Sequence, residues 1–431
     1  MIPVVTPEEM RRIDEAAPES TEVLVERAGA AVARAVVRRL GGTYGRRVVV
    51  VAGKGNNGAD GRCAARRLSA RGVRCVVVDP DVSSVPACDL VVDAAYGTGF
   101  HGEYKAPLVG DAPVLAVDIP SGVDGLTGEA SPFAVRADST VTFAALKPGL
   151  LFTDRAGVVE VVDIGLDVSG ARISVVEDDD VVLPARSRST HKWDTAVLVV
   201  AGSPGMMGAP LLVARGAMRA GSGYVQLAAP DDVPPGNEAV VVPRPATGWA
   251  SALDVERCRA VVVGPGLGRE AGDEVRQFVA AVDKPMVVDA DGLNALAGGA
   301  AEVLSGRRAP TVLTPHDGEF ARLAGDQVGA DRIGEARALA VATGAVVLLK
   351  GPTTVVAAPD GRVLVSVTGG PQLATAGTGD VLAGMIGAFL AQGLPALEAA
   401  AFAAHAHGAA SRPGMVAGDL PELVGEWLSG G

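Results

Sequence analysis

The sequence predicts two α/β domains in series, each built on an open, mostly parallel sheet. Three observations carry that expectation. Short apolar runs at 48–52, 73–79, 90–93, 114–118 and 140–143 have the length of strands buried on both faces, and helical or loop segments separate most of them. The rhythm stops at Asp178-Asp179-Asp180, Pro184 and the polar stretch 186–190, then restarts at 196–201. The apolar fraction reaches 48% with only 3% aromatics, so alanine, valine and glycine supply the excess, as in parallel strands covered by closely packed helices.

Taken in order, Thr6-Pro7-Glu8-Glu9 has the form of a helix start, with a hydroxyl cap, proline in the first turn and glutamate three residues after the cap. A second helix is expected over 22–40, ending at Gly41-Gly42. The five strand candidates of the first half follow. In the second half, strands are expected at 196–201, 224–229, 260–263, 286–289, 311–313 and 346–349, and helices at about 209–220, 270–282, 330–343, 380–392 and 396–410. A hairpin is expected from 353–358 and 362–367, with Pro359-Asp360-Gly361 as its turn. The 431 residues suffice for two cores, and the boundary is placed so that the domains span 1–183 and 184–431.

Composition excludes several classes. The net charge is −12 and no basic cluster is long enough to track nucleic acid. The four cysteines show neither CxxC nor His-partnered spacing, which speaks against zinc and for structural thiols in a reducing compartment. The N-terminus lacks the charged and apolar regions of a signal peptide, and Gly, Pro or charge breaks every apolar segment before membrane-spanning length. A cytoplasmic protein is expected. Apolar surface on the first two helices makes a homo-oligomer the expectation.

The polar motifs of the first half fall just after strands, where ligands of open α/β sheets bind. GKGNNGADG (53–61) leads into a helix expected to begin near Arg62 and is not a dinucleotide fingerprint, since two asparagines occupy its middle. Asn-Gly pairs are also ordinary turn formers. DAAYGTGFHGE (93–103) and the loop from Asp118 to Asp124 follow two further strands. If the three loops converge, Asn57, Asp93 and Ser121 supply oxygens for a hard cation, and the glycines of 97–102 leave room for phosphate or ribose. Lys147 would reach the same edge or stay at the surface.

GKGNNGADG, DAAYGTGFHGE, VDIPSGVDGLTG (117–128) and ADSTVTFAALKPGL (137–150) resemble, in order, the motifs of NAD(P)H-hydrate epimerases over roughly residues 1–165. The resemblance implies a Rossmann-like doubly wound sheet that interconverts the R and S hydrates of NADH and NADPH at the nicotinamide C6. By it, Asn56, Asn57, Gly58, Ala59, Asp60, Gly97, Thr98, Gly99, Phe100, His101, Gly102, Glu103 and Asp118 contact the hydrate, while Asn57, Asp93 and Ser121 bind potassium. Asp118 is the acid/base candidate and Lys147 the second. Ala59 departs from the family's glycine and would crowd the loop slightly.

In the second half, ATAGTGDVLAG (374–384) carries the sharpest signal. Gly377 and Gly379 allow a tight turn, and a helix opening at Asp380 aims free N–H groups at whatever lies above it. A carboxylate has no place in an anion site on charge grounds, so Asp380 suggests proton chemistry on a neighbouring hydroxyl, with a helix cap as the simpler role for an isolated turn. TPHDGEF (314–320) presents His316 after a strand, GPGLG (264–268) and VDADGLNAL (288–296) occupy equivalent positions, and KGPTT (350–354) offers a lysine and hydroxyls suited to polyphosphate. His405 and His407 cannot share a helix face and are expected to be packing or surface residues.

With GSPGMMGAP (202–210), these motifs resemble NAD(P)H-hydrate dehydratases over roughly 185–431, which implies a ribokinase-like α/β fold and ADP- or ATP-driven dehydration of the S hydrate. The resemblance assigns Lys350, Gly351, Pro352, Thr353, Thr354 and Gly379 to the nucleotide, magnesium arriving with ADP (or ATP). It assigns Asp380 to the substrate hydroxyl as base, and Ala209, Gly266 and His316 to further substrate contacts. Two departures stand out: Gly369-Gly370-Pro371 replaces the family's Gly-Asn, and 193–196 is less glycine-rich than usual. Two alternatives remain: a ribokinase-like small-molecule kinase fused to an unrelated domain, and a first domain that has kept its fold as a binding or scaffolding module.

Overall fold

The computed structural model describes residues 1–100, 102–230 and 238–430. It divides into two compact units, Ile2–Ile173 and Ser174–Gly431. No helix among the described residues is long and apolar enough to cross a membrane. The four cysteines are free.

The first unit runs β1 (Ile2–Val4), α1 (Pro7–Ala16), α2 (Thr21–Leu40), β2 (Arg47–Ala52), α3 (Asn56–Ser69), β3 (Arg74–Val78), β4 (Leu90–Ala94), β5 (Val114–Val117), β6 (Ser139–Phe143), α4 (Pro148–Phe152) and β7 (Val158–Val162). Its sheet has the order β3-β2-β4-β5-β6-β7, every pairing parallel. The valine runs of β2, β4 and β5 pair with one another, Val50 with Val92 and Val92 with Leu115. Each such side chain fully buried contributes about 1.5–3 kcal/mol. Thr6 caps α1 through a reciprocal pair, Glu9 N–H to Thr6 Oγ1 (3.2 Å) and Thr6 N–H to Glu9 Oε2 (2.8 Å). Helix α3 begins at Asn56, not near Arg62, so both asparagines sit in its first turn. That start presses on the preceding loop: a Cβ on Gly58 would lie 1.9 Å from the Gly53 carbonyl oxygen, and only glycine fits.

The second unit contains β8 (Ile173–Val175), β9 (Ala196–Val200), α5 (Gly208–Arg219), β10 (Tyr224–Ala229), β11 (Val240–Pro243), α6 (Trp249–Ala252), β12 (Ala260–Val263), α7 (Gly272–Ala281), β13 (Met286–Val288), α8 (Asp291–Leu296), α9 (Ala300–Leu304), β14 (Thr311–Leu313), α10 (Asp317–Ala324), α11 (Arg332–Thr343), β15 (Val346–Leu349), β16 (Thr354–Ala357), β17 (Val363–Ser366), α12 (Thr378–Ala391), α13 (Ala396–Ala410) and α14 (Leu420–Leu428). Its strand order is β8-β17-β16-β15-β14-β13-β12-β9-β10-β11. The run from β15 to β11 is parallel, and β15-β16-β17 is antiparallel, as the expected hairpin requires. Helix α12 is apolar on nearly all faces, which is why it is buried among α5, α13 and strands β9, β12 and β13.

Candidate active sites

In each sheet the parallel strands build outward on both sides of one early strand, β2 in the first and β9 in the second, leaving a crevice at the carboxyl ends of the two strands where the order reverses. In the first unit that point lies between β2 and β4. A cavity of about 1200 Å³ opens there, lined by the loop after β2 (Gly53 to Asn57), the loop after β4 (Ala95 to Phe100), Asp60 of α3, Asp118, Lys147, and Met10 and Asp14 of α1. Of the residues expected to contact substrate, Asn56, Asn57, Asp60, Gly97, Thr98, Gly99, Phe100 and Asp118 line the cavity. Gly58, Ala59, Gly102 and Glu103 do not. His101 lies outside the described residues.

The expected cation ligands are brought together by their own hydrogen bonds. Asp93 accepts from the Ser121 hydroxyl (2.7 Å) and backbone N–H (2.8 Å), Ser121 Oγ accepts from the Tyr96 N–H (2.9 Å), and the Asn57 amide donates to the Tyr96 carbonyl (2.8 Å). Asn57, Asp93 and Ser121 are all buried. Burial pushes the Asp93 carboxyl up to about 6, the bonds from Ser121 and Ala95 opposing it. Asn57 Oδ1 is buried with no hydrogen-bond partner. An orphaned amide oxygen and a buried carboxylate with no cationic partner among the described residues fit a hard cation. No group of three His, Cys, Asp or Glu side chains with metal-holding geometry occurs among the described residues.

Lys147 is no surface lysine: it is 1% exposed. Its ammonium donates to Asp118 Oδ1 (2.7 Å), Thr142 Oγ1 (2.9 Å) and the Phe143 carbonyl (3.0 Å), and Thr142 in turn donates to Asp118 Oδ1 (3.1 Å). Asp118 Oδ2 is turned the other way, 3.3 Å from where a Cβ on Gly97 would sit. The Asp118 backbone is left-handed (φ +68°), a conformation that costs a non-glycine residue about 1–3 kcal/mol and is common at functional sites. One carboxylate oxygen is thus fixed by a buried cation, and no hydrogen bond or ion pair reaches the other among the described residues.

In the second unit the crevice falls between β9 and β12. Lys350 follows β15 and pairs with Asp289 Oδ1 (2.9 Å) and Glu319 Oε2 (3.6 Å), while Thr314 Oγ1 donates to the same Asp289 oxygen (2.8 Å). Burial opposes the ammonium charge, but Asp289 and Glu319 outweigh it and hold Lys350 above the usual lysine range. Gly379 sits over this lysine, its Cβ position 3.7 Å from Nζ. Gly377, at φ +96°, caps α12, so the helix opens at Thr378 and Asp380 falls within its first turn. Burial chiefly, then the Asp289 charge, pushes the Asp380 carboxyl up to about 7, Lys350 opposing.

Around this centre Arg332 donates to Asp317 through both nitrogens (3.0 and 2.8 Å) and to the Lys350 carbonyl (2.9 Å), tying the KGPTT loop to the loop of His316. His316 Nδ1 accepts from the Gly318 and Glu319 N–H groups, capping α10, and Nε2 lies 3.6 Å from Glu319 Oε1. Gly266 and Ala209 are adjacent, 3.3 Å between the Cβ of Ala209 and a Cβ on Gly266. The Gln372 carboxamide lies 2.5 Å from where a Cβ on Gly370 would be, so an amide occupies the space where a side chain of residue 370 would project. His405 and His407 are both buried. His405 Nε2 meets Asp178 (2.7 Å), whereas His407 Nε2–H donates to the Thr378 carbonyl (2.9 Å), and burial depresses the His407 ring to about 4. Sequence reasoning gave no role to Asp14, Asp289, Glu319, Arg332 or His407. The position of Asp289 just after β13 and of Glu319 in the first turn of α10 is a usable signal; nothing local marks the other three.

An open parallel sheet flanked by helices, with a lysine–carboxylate cluster and a glycine-capped helix at its edge, defines an α/β enzyme of the ribokinase-like class in the second unit. A ribokinase-like superfamily protein from Enterococcus faecalis shares this fold (TM-score 0.50, 21% identity, 59% of this chain and 96% of that one). The ADP/ATP-dependent NAD(P)H-hydrate dehydratase from Bacillus subtilis, co-crystallised with ATP/Mg2+, aligns with TM-score 0.52 at 31% identity over 59% of this chain and 96% of that one. The family model for NAD(P)H-hydrate dehydratase matches residues 197–415, and that for the YjeF-related protein N-terminus matches 21–84 and 78–149. Over most of its length the chain is similar to two bifunctional NAD(P)H-hydrate repair enzymes. That of Salinibacter ruber is 38% identical over 93% of this chain and 91% of its own, and that of Mycobacterium tuberculosis 42% identical over 86% and 84%. The chain belongs to the family of bifunctional NAD(P)H-hydrate repair enzymes.

Proposed function

We propose that the chain repairs hydrated NADH and NADPH in two steps, an epimerase domain spanning 1–183 interconverting the R and S hydrates and a dehydratase domain spanning 184–431 returning the S hydrate to NAD(P)H. The observation that carries this reading is Asp380: a carboxyl poised near neutrality at the start of α12, beside a lysine already neutralised by two other carboxylates. Asp380 takes the proton from the C6 hydroxyl. Lys350 and the loop to Thr354, with Gly379, hold the ADP or ATP whose terminal phosphoryl group the hydroxyl accepts. Phosphate then leaves far more readily than hydroxide. Magnesium bound with the nucleotide neutralises charge on the transferred group. His316, Gly266 and Ala209 flank the substrate.

In the first domain Asp118 does the acid–base work of the epimerisation, oriented by Lys147 and Thr142. Asn57, Asp93 and Ser121 would hold potassium, for which the Asn57 oxygen without a hydrogen-bond partner is the support. The enzyme works as a homo-oligomer in the cytoplasm. Mixed R and S hydrates supplied with ADP, then with ATP, and followed by chromatography test the reading. Loss of both epimers with release of inorganic phosphate and reduced nicotinamide is expected. A stable phosphorylated product would make the second domain a kinase instead.

A further inference from the structure

The N-terminal cavity holds one more buried carboxyl than this scheme uses. Asp60 of α3 lines the cavity with Asp118 and is 8% exposed. Among the described residues no hydrogen bond or ion pair reaches its carboxyl, whereas Asp118 has both Lys147 and Thr142 on Oδ1. A carboxyl largely withdrawn from water and given no donor or cation holds its proton more tightly, because ionisation would leave a poorly solvated charge. Burial chiefly, with the Asp118 and Asp14 charges behind it, pushes Asp60 up to about 8. The other charged groups lining the cavity are Lys54, Arg62, Glu19, Asp79 and Asp81. Arg62 is engaged with the Gly53 carbonyl (2.7 Å). Two carboxyls in one cavity, one fixed by a cation and one left neutral, are the arrangement that divides acid from base.

Resting on the epimerase reading of this pocket, we infer that Asp60 is its proton donor, protonating the departing C6 hydroxyl while Asp118 Oδ2 takes a proton from the water that adds to the opposite face. C6 bears its hydroxyl next to ring nitrogen N1. The C6–O bond breaks with the Asp60 proton leaving in water, and the N1 lone pair forms an N1=C6 iminium. A new water then bonds to C6 from the other face, its proton passes to Asp118, and the electron pair returns to N1. Nothing is oxidised or reduced, and exchange with solvent resets both carboxyls. Every inversion therefore replaces the C6 oxygen with one from solvent.

The test uses the full chain. In Asp60→Asn, kcat for R-to-S conversion should fall roughly 10²- to 10⁴-fold with KM little changed. The wild-type rate should drop about tenfold per pH unit above about 8. Conversion in ¹⁸O-labelled water should place one label in each inverted product. A near-normal rate in Asp60→Asn, a wild-type rate flat through the alkaline range, or inversion without label would each overturn the assignment. The last two are read on the wild type and decide the matter even if the variant misfolds. Wild-type protein unable to interconvert R and S at all would instead defeat the epimerase reading beneath it.

Discussion

Both units place a lysine just after a strand, fully buried in the first and partly buried in the second, and they use it in opposite ways. Lys147 binds the carboxylate proposed to react, 2.7 Å from Asp118 Oδ1, so the proposed base is held beside a fixed cation. Lys350 is occupied by Asp289 and Glu319, and Asp380 is left to burial and to their repulsion, which lifts it to about 7. The lesson is that a lysine near a carboxylate does not by itself fix that carboxylate's proton affinity; what else the lysine already touches decides it.

The comparison breaks most visibly at the bases. Asp380→Asn should slow dehydration by roughly 10²- to 10⁴-fold while epimerisation proceeds; a near-normal rate would remove the base from the mechanism. Lys147→Met leaves Asp118 without its cation, and losing one partner of such a pair costs on the order of 3–5 kcal/mol. Epimerisation should fail and the melting temperature of the first unit should drop, whereas Lys350→Met should spare both. The pH dependence sharpens the contrast. Dehydration should fall about tenfold per unit below about pH 7, where Asp380 takes up its proton. Because this carboxyl keeps its proton longer folded than unfolded, it weakens folding as pH rises from the ordinary carboxylate range through about 7. Asp380→Asn should therefore raise the melting temperature on the alkaline side, and an unchanged curve would contradict its burial.

Smaller effects follow. Replacing potassium by choline should lower the melting temperature of the first unit, since a cation at a hundred times its Kd adds about 2.7 kcal/mol; identical melting in both salts would empty the site. His407→Gln, keeping a donor to the Thr378 carbonyl, should leave KM for ADP near normal, while His407→Leu should raise it several-fold.

Much of the architecture was legible because it rests on local pattern. The buried runs Ala260–Val263, Thr311–Leu313 and Val346–Leu349, and the mostly buried Tyr224–Ala229, have the same bounds in the sequence pattern and in the structure. Strand β7 was missed because it alternates between exposed and half-buried positions, without the continuous apolar run of its neighbours. The start of α3 was placed too late because an Asn-Asn-Gly sequence reads as a turn until Gly58 is seen against the Gly53 carbonyl. The compact units divide at Ile173–Ser174, ahead of the polar run that drew the expected boundary to 183. Motif residues such as Asn57, Asp93 and Asp118 are nameable as candidates because their motifs fall at the carboxyl ends of strands. Their partners are not, because Thr142 on Asp118, Asp289 on Lys350 and His407 on Thr378 are contacts between residues distant in the chain.

The central claim is that two independent acid–base sites act on one damaged coenzyme, and a single chromatographic experiment tests it most directly. Asp118→Asn and Asp380→Asn proteins are each given mixed R and S hydrates with ADP. The first should consume only the S epimer and leave R behind; the second should interconvert the two and consume neither. Loss of both activities in either variant, or rapid consumption of R by Asp118→Asn, would contradict the account.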